Sequence, residues 1–177
     1  MCCEVVYTVS FDSSVGAFQV ASTDRGLAYV QLPHASGRGF SGWQHRHMSG
    51  VERREGFAPN RTAVKQILEY LDGKRTEFDL ELDLRGTPFQ LDVWRALCDV
   101  PCGEIRTYTD IAGAIGKPKA LRAVGNAVGA NPLSLVVPCH RVVAAGGKLG
   151  GYGGGRRLKK KLLAMESSAN RCADRLI

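Results

Sequence analysis

Apolar β-branched and aromatic residues crowd positions 4 to 11 (EVVYTVSF) and 16 to 32 (GAFQVASTDRGLAYVQL), broken by the polar stretches Asp-Ser-Ser and Thr-Asp-Arg-Gly. That composition, punctuated by turn residues, predicts a small sheet of short antiparallel strands. Positions 33 to 58 carry many Gly, His, Arg and Ser without a sustained period and predict a long loop. From Asn60 a helical period sets in: Ala63, Val64, Ile67, Leu68 and Leu71 share one helical face, and Asp72-Gly73 ends a helix expected to cap the sheet. Residues 77 to 85 (EFDLELDLR) alternate strictly, as an extended connector would, and Gly86-Thr87-Pro88 marks a boundary.

Beyond that boundary the helical period dominates. Phe89, Val93, Trp94 and Leu97 define a helix closed by Pro101-Cys102-Gly103. Two short helices follow, Tyr108 to Ile115 and Ala120 to Val128, joined by a tight turn as in a helix-turn-helix. Asn131-Pro132 then turns the chain into the apolar run Leu133 to Val137, after which Pro138-Cys139-His140-Arg141 forms a strand-to-turn junction. The expected domains are 1–86, a small α/β unit; 87–170, mostly helical; and a tail, 171–177.

Charge separates the two halves further. The first 87 residues hold 10 Lys and Arg against 11 Asp and Glu, whereas the remainder holds 14 against 6. Such segregation points to an anionic partner for the second half, nucleic acid before an anionic membrane. No apolar stretch approaches the roughly 20 residues a membrane span needs. The six cysteines (2, 3, 98, 102, 139, 172) are irregularly spaced in a chain of 177 residues, and no secretory leader pattern opens it. A disulfide framework is therefore not expected, and a reducing location is, cytoplasmic or, in a eukaryote, nuclear.

Cys139 on composition alone is a small buried hydrophobe and His140 a satisfied core histidine. Against that, a thiol beside His and Arg in a basic domain has surroundings that favour thiolate. The run PCHRVV (138 to 143), with Asn131-Pro132 upstream and Gly151-Tyr152-Gly153-Gly154-Gly155 downstream, resembles the O6-alkylguanine-DNA alkyltransferase family. So do TYTDIAGAIGKPKALRAVGNAVGANP (107 to 132) and the stretch ending in LLAMES (162 to 167). The resemblance spans Thr87 to about Ser167. Nearer the N-terminus it is one of layout, plus EFDLELDLRGTPFQ at the junction.

The resemblance implies an α/β (α+β) protein: an N-terminal antiparallel sheet with a helix in a ribonuclease H-like layout, then a helical domain with a winged-type helix-turn-helix. It implies a single-turnover methylated-DNA–protein-cysteine S-methyltransferase, working without cofactor on double-stranded DNA from the minor groove, as a monomer, with or without cooperativity along the DNA, and away from membranes. Its substrate would be O6-alkylguanine and, less readily, O4-alkylthymine. Cys139 would be the alkyl acceptor, His140 the general base acting through a water, and Glu166 the carboxylate that orients it. Tyr108 would donate to the departing guanine, and Asn131 would tie the turn to the cysteine strand. Arg122 would fill the stack vacated by a flipped base, flanked by the small residues Ala123, Gly125, Ala127 and Val128, with Thr107 also on DNA. Tyr152, Gly153, Val142 and Ser134 would border the substrate; Gly153 stands where some relatives have serine, leaving only an N–H contact there.

Metal binding is not expected, because Cys2, Cys3, His34, His45 and His47 match no tetrahedral-site spacing, although some family members hold zinc. Two rival readings remain: a lesion-binding protein without chemistry, which an intact Cys139 opposes, and a DNA-binding regulator, for which no activator domain is visible.

Overall fold

A computed structural model describes residues 4–35 and 39–173, with side chains described as far as residue 168. It divides into two compact units, Met1–Arg85 with Pro132–Ser134, and Gly86–Asn131 with Leu135–Ile177.

In the first unit β1 (Val5–Ser13), β2 (Gly16–Thr23) and β3 (Gly26–Gln31) form the expected antiparallel meander. The β2–β3 turn needs glycine at Gly26: its φ is +133°, and a Cβ there would lie 2.3 Å from the Glu81 carbonyl oxygen. That contact brings in the 77–85 connector, which runs extended and bridges Leu82 to Leu27. α2 (Arg61–Leu71) buries Ala63, Val64, Ile67 and Tyr70 on the face the sequence period marked.

The loop expected at 33–58 is a correction. Residues Gly39–His47 form α1, and Glu52–Glu55 form β4, which lies parallel to β1 at the sheet edge in the order β3-β2-β1-β4. α1 escapes detection because only Phe40 and Trp43 anchor it, against Val6, Ala21, Ala28 and Met48. Two aromatic anchors in tertiary contact stabilise a helix that its own period does not specify. β4 reads Glu-Arg-Arg-Glu and is exposed along its whole length, so it has no buried face to alternate. Its charges suit an open sheet edge.

The second unit begins at Gly86, where a Cβ would meet the Trp94 ring at 2.6 Å. α3 (Pro88–Cys98) starts at a capping box in which Thr87 and Gln90 satisfy each other's backbone N–H groups, with Pro at the first turn. It buries Val93, Trp94 and Leu97. The Trp94 indole N–H donates to the Ala127 carbonyl at 2.8 Å, fastening α3 to α5 (Leu121–Gly129). Between them α4 (Tyr108–Ala114) opens on a second capping box, Thr107 with Asp110. It closes with Gly116 at φ +68°, where Gly116 N–H bonds Gly113 and Lys117 N–H bonds Ala112. That is a glycine C-cap of the Schellman type, and it sets the tight turn between the two helices. The two-residue strands β5 (Arg106–Thr107) and β6 (Val142–Val143) pair in parallel, and α6 (Gly155–Ala173) completes the unit, continuing through residues 171 to 173 where a tail was expected. Residues 174–177 lie outside the described residues.

Candidate active site

Cys139, His140 and Arg141, expected at a strand-to-turn junction, form one turn of 3-10 helix immediately before β6. The turn is held from both sides. Cys139 N–H donates to the Val137 carbonyl at 2.8 Å, and the Asn131 side-chain N–H donates to that same oxygen at 2.8 Å. Leu135, buried, sits at φ +87°, a conformation that costs a non-glycine residue about 1–3 kcal/mol and persists only where its surroundings enforce it.

The pairing of β5 with β6 places Thr107 opposite Val143, so Tyr108, the next residue, lies beside the turn. Burial raises the Tyr108 phenol above its usual range, and negative charge at Cys139 adds to that. A Cβ on Gly150 would lie 3.4 Å from the Tyr108 hydroxyl oxygen, and the Tyr152 ring stands edge-on to His140, centroids 6.2 Å apart.

The α6 residues Leu158, Lys159, Leu162 and Glu166 are buried along one stripe. His140 Nε2 lies 2.9 Å from Glu166 Oε1, with the ring 0% and the carboxylate 1% exposed. Arg141 clasps the same carboxylate, with Nε donating to both oxygens at 3.1 Å and a terminal N–H to Oε1 at 2.8 Å, and it reaches the Val100 carbonyl at 2.6 Å. Gly103 N–H adds a donor to Oε2 at 3.2 Å. Desolvation lowers the His140 pKa below its usual value, against the pull of Glu166 and with the help of the Arg141 and Lys159 charges. Burial thus favours the neutral imidazole.

Lys159, 0% exposed, donates from Nζ to the Val142 carbonyl at 2.6 Å and the Gly151 carbonyl at 3.2 Å, linking β6 to the glycine loop. Burial lowers its pKa, and negative charge at Cys139 opposes that shift. Sequence reasoning passed over Lys159 inside a run of three lysines, and used Arg141 only as a nearby charge. The signal was available: positions 159, 162 and 166 share a helical face with Leu158.

Other expected residues are placed less uniformly. Arg122 and Ala123 are exposed on the first turn of α5, and a Cβ on Gly125 would meet nothing within 4 Å. Ala127 and Val128 are buried, so they pack inward instead of facing a groove. The Thr107 hydroxyl is engaged by the α4 cap. Val142 is buried, Gly153 exposed and Tyr152 half-buried, while Ser134 falls in the segment Pro132–Ser134, grouped with the first unit. Among the described residues no three His, Cys, Asp or Glu side chains converge to hold a metal, and Cys2 and Cys3 lie outside them.

Residues 5–84 match the ribonuclease-like domain, and residues 88–168 the DNA-binding domain, of the 6-O-methylguanine DNA methyltransferase family. A methylated-DNA–protein-cysteine methyltransferase of Mycolicibacterium paratuberculosis is 48% identical over 155 residues, 88% of each chain. The chain belongs to the O6-methylguanine DNA methyltransferase family. An inducible methylated-DNA–protein-cysteine methyltransferase of Bacillus subtilis is 42% identical over 156 residues, 86% of each chain. The crystal structure of Mycobacterium tuberculosis OGT in complex with DNA superposes with a TM-score of 0.79 at 42% identity, covering 92% of this chain and 94% of that one. An archaeal O6-methylguanine-DNA methyltransferase, from Pyrococcus kodakaraensis, gives 0.61 at 28% identity over 92% and 99%. The mixed α/β architecture and the enzyme class expected of an O6-methylguanine DNA methyltransferase are those of these relatives. Among the described residues no helix is long and apolar enough to cross a membrane.

Proposed function

We propose that this protein repairs O6-alkylguanine in duplex DNA, and O4-alkylthymine less readily, by moving the alkyl group irreversibly onto Cys139, each molecule reacting once. The observation that carries this reading is a buried His140–Glu166 pair one residue from a buried thiol, inside the segment that matches the family's DNA-binding domain. With Nε2 engaged by Glu166, the neutral imidazole takes the thiol proton at Nδ1 through a water. The thiolate sulfur attacks the alkyl carbon in line, the S–C bond forms as the C–O bond breaks, and the electron pair leaves on O6 into the purine. Tyr108, kept protonated by its raised pKa, donates to the departing base and regains a proton from solvent. Asn131 fixes the turn, a positioning role.

A base in the duplex is reached only by extrusion. Arg122, exposed at the start of α5, is the side chain that occupies the vacated stack, and Ala123 with Gly125 lets the helix backbone approach a narrow minor groove. That a relative was solved in complex with DNA supports DNA as the partner of this chain. The glycine loop, Tyr152 and Gly153 included, borders the flipped guanine.

Duplex DNA carrying radiolabelled O6-methylguanine tests the proposal. One label per protein molecule is expected, on the peptide containing Cys139. Label elsewhere, or repeated turnover by one molecule, would refute it.

A further inference from the structure

The outer face of α6 has no part in the chemistry above, yet it carries the densest charge in the chain. Arg156, Arg157, Lys160 and Lys161 are all exposed and, at spacings of one, four and five residues, occupy one side of the helix, opposite the buried stripe. The first turn of α6 holds no acidic residue. Cations there oppose the helix dipole, whose N-terminal end favours Asp and Glu, so helix stability does not account for them. Among the described residues Arg156, Arg157 and Lys160 form no ion pair.

We propose that this face is a second phosphate-contacting surface, which binds the duplex backbone beside the extruded nucleotide and lies outside the helix-turn-helix. The proposal rests on the function proposed above. Its position follows from the chain: the glycine loop that contains Tyr152, edge-on to His140, runs directly into α6, so Arg156 follows Tyr152 by four residues. Side chains so close to the reaction site reach the phosphates flanking a nucleotide held there. Four cations against a polyanion make the charges complementary. A lipid surface fits less well, since a helix lying on a membrane needs large apolar side chains flanking its cations. Among the described residues the exposed large apolar side chains are Phe57, Ile105 and Leu121, none of them on α6.

The test is the salt dependence of binding to an undamaged duplex, for the full chain and for R156A/R157A/K160A/K161A, with thermal melting as the check on folding. Loss of up to four phosphate contacts should flatten the slope of log K against log salt by roughly three to four units. Between 50 and 200 mM salt the wild-type chain should then lose about a hundred-fold more affinity than the variant. R156K/R157K, which keeps the charge, should retain the wild-type slope. A folded quadruple variant with an unchanged slope would overturn the inference, as would a lysine variant that loses it. So would binding to phosphatidylserine vesicles that the quadruple substitution abolishes while the DNA slope stays the same. A wild-type chain that fails to bind duplex or to label Cys139 would instead overturn the function itself.

Discussion

Replacing Glu166 by Gln keeps the side-chain shape and removes its charge. In the native site that carboxylate accepts from Arg141 through three contacts of 2.8 to 3.1 Å, from Gly103 at 3.2 Å, and faces His140 Nε2 at 2.9 Å. Every neighbour but the imidazole can only donate, so the amide nitrogen of a glutamine must face at least one donor. The Arg141 guanidinium, 8% exposed, is left as a buried cation without its counter-charge. Breaking one side of a buried pair costs about 3–5 kcal/mol, out of a total stability of about 5–15 kcal/mol. For a chain of this size that lowers Tm by roughly 6–20 °C. The alkylation rate should also fall, by about 10²- to 10⁴-fold, because the base loses the group that orients it.

A second variant separates these effects. Glu166→Gln combined with Arg141→Met removes the orphaned cation together with its partner, and exchanging both charges of a buried pair for uncharged groups is often nearly neutral. The double variant should regain much of the lost Tm while its alkylation rate stays low. Scanning calorimetry and single-turnover labelling of Cys139 measure the two quantities. A Glu166→Gln variant within about 2 °C of wild type would refute the energetic argument. A double variant that recovers its rate along with its Tm would refute the orienting role.

Arg122→Ala should slow repair in duplex far more than reaction with free O6-benzylguanine, because only the duplex requires a base to be extruded; equal losses would contradict the assignment. The lowered pKa of His140 predicts a pH dependence of stability. Below its unfolded value of about 6.5 the unfolded chain binds a proton that the native imidazole refuses, so stability falls as pH drops toward the folded value, by about 1.4 kcal/mol per pH unit. Urea unfolding at pH 7.5 and 5.5 should show that loss, His140→Gln should remove this part of it, and an equal loss in the variant would refute the assignment.

What the sequence showed and what it hid follow from where each element gets its stability. α2 and α3 were legible because each buries a stripe set by its own helical period. α1 and β4 were not: one rests on two aromatic side chains docked on the sheet, and the other exists as the parallel neighbour of β1. The inward packing of Ala127 and Val128 was also hidden, since small residues in a helix suit a groove and a close-packed neighbour equally, and only their burial in the folded chain decides between them. At the site, Cys139 and His140 were marked by the motif, whereas Glu166 taken alone reads as a solvated helix residue.

Glu166 and Lys159 belong to the same physical problem, which explains why both are buried on α6. For the proposed transfer a thiolate needs positive potential, and the imidazole that takes its proton needs negative charge on its far side. The stripe of α6 supplies both at a spacing of seven residues, two helical turns: Lys159 near the sulfur, bonded to the Val142 carbonyl, and Glu166 behind the imidazole. Desolvation, helped by the Arg141 charge, outweighs the pull of Glu166 and keeps the His140 pKa below its usual value. In the proposed reaction a rigid helix would fix these charges before substrate arrives, leaving little reorganisation for the chemistry itself. The same element turns its opposite face, with four cations, to solvent. Because α6 follows the glycine loop directly, DNA gripped on that outer face would be held in a fixed relation to the charges on the inner one.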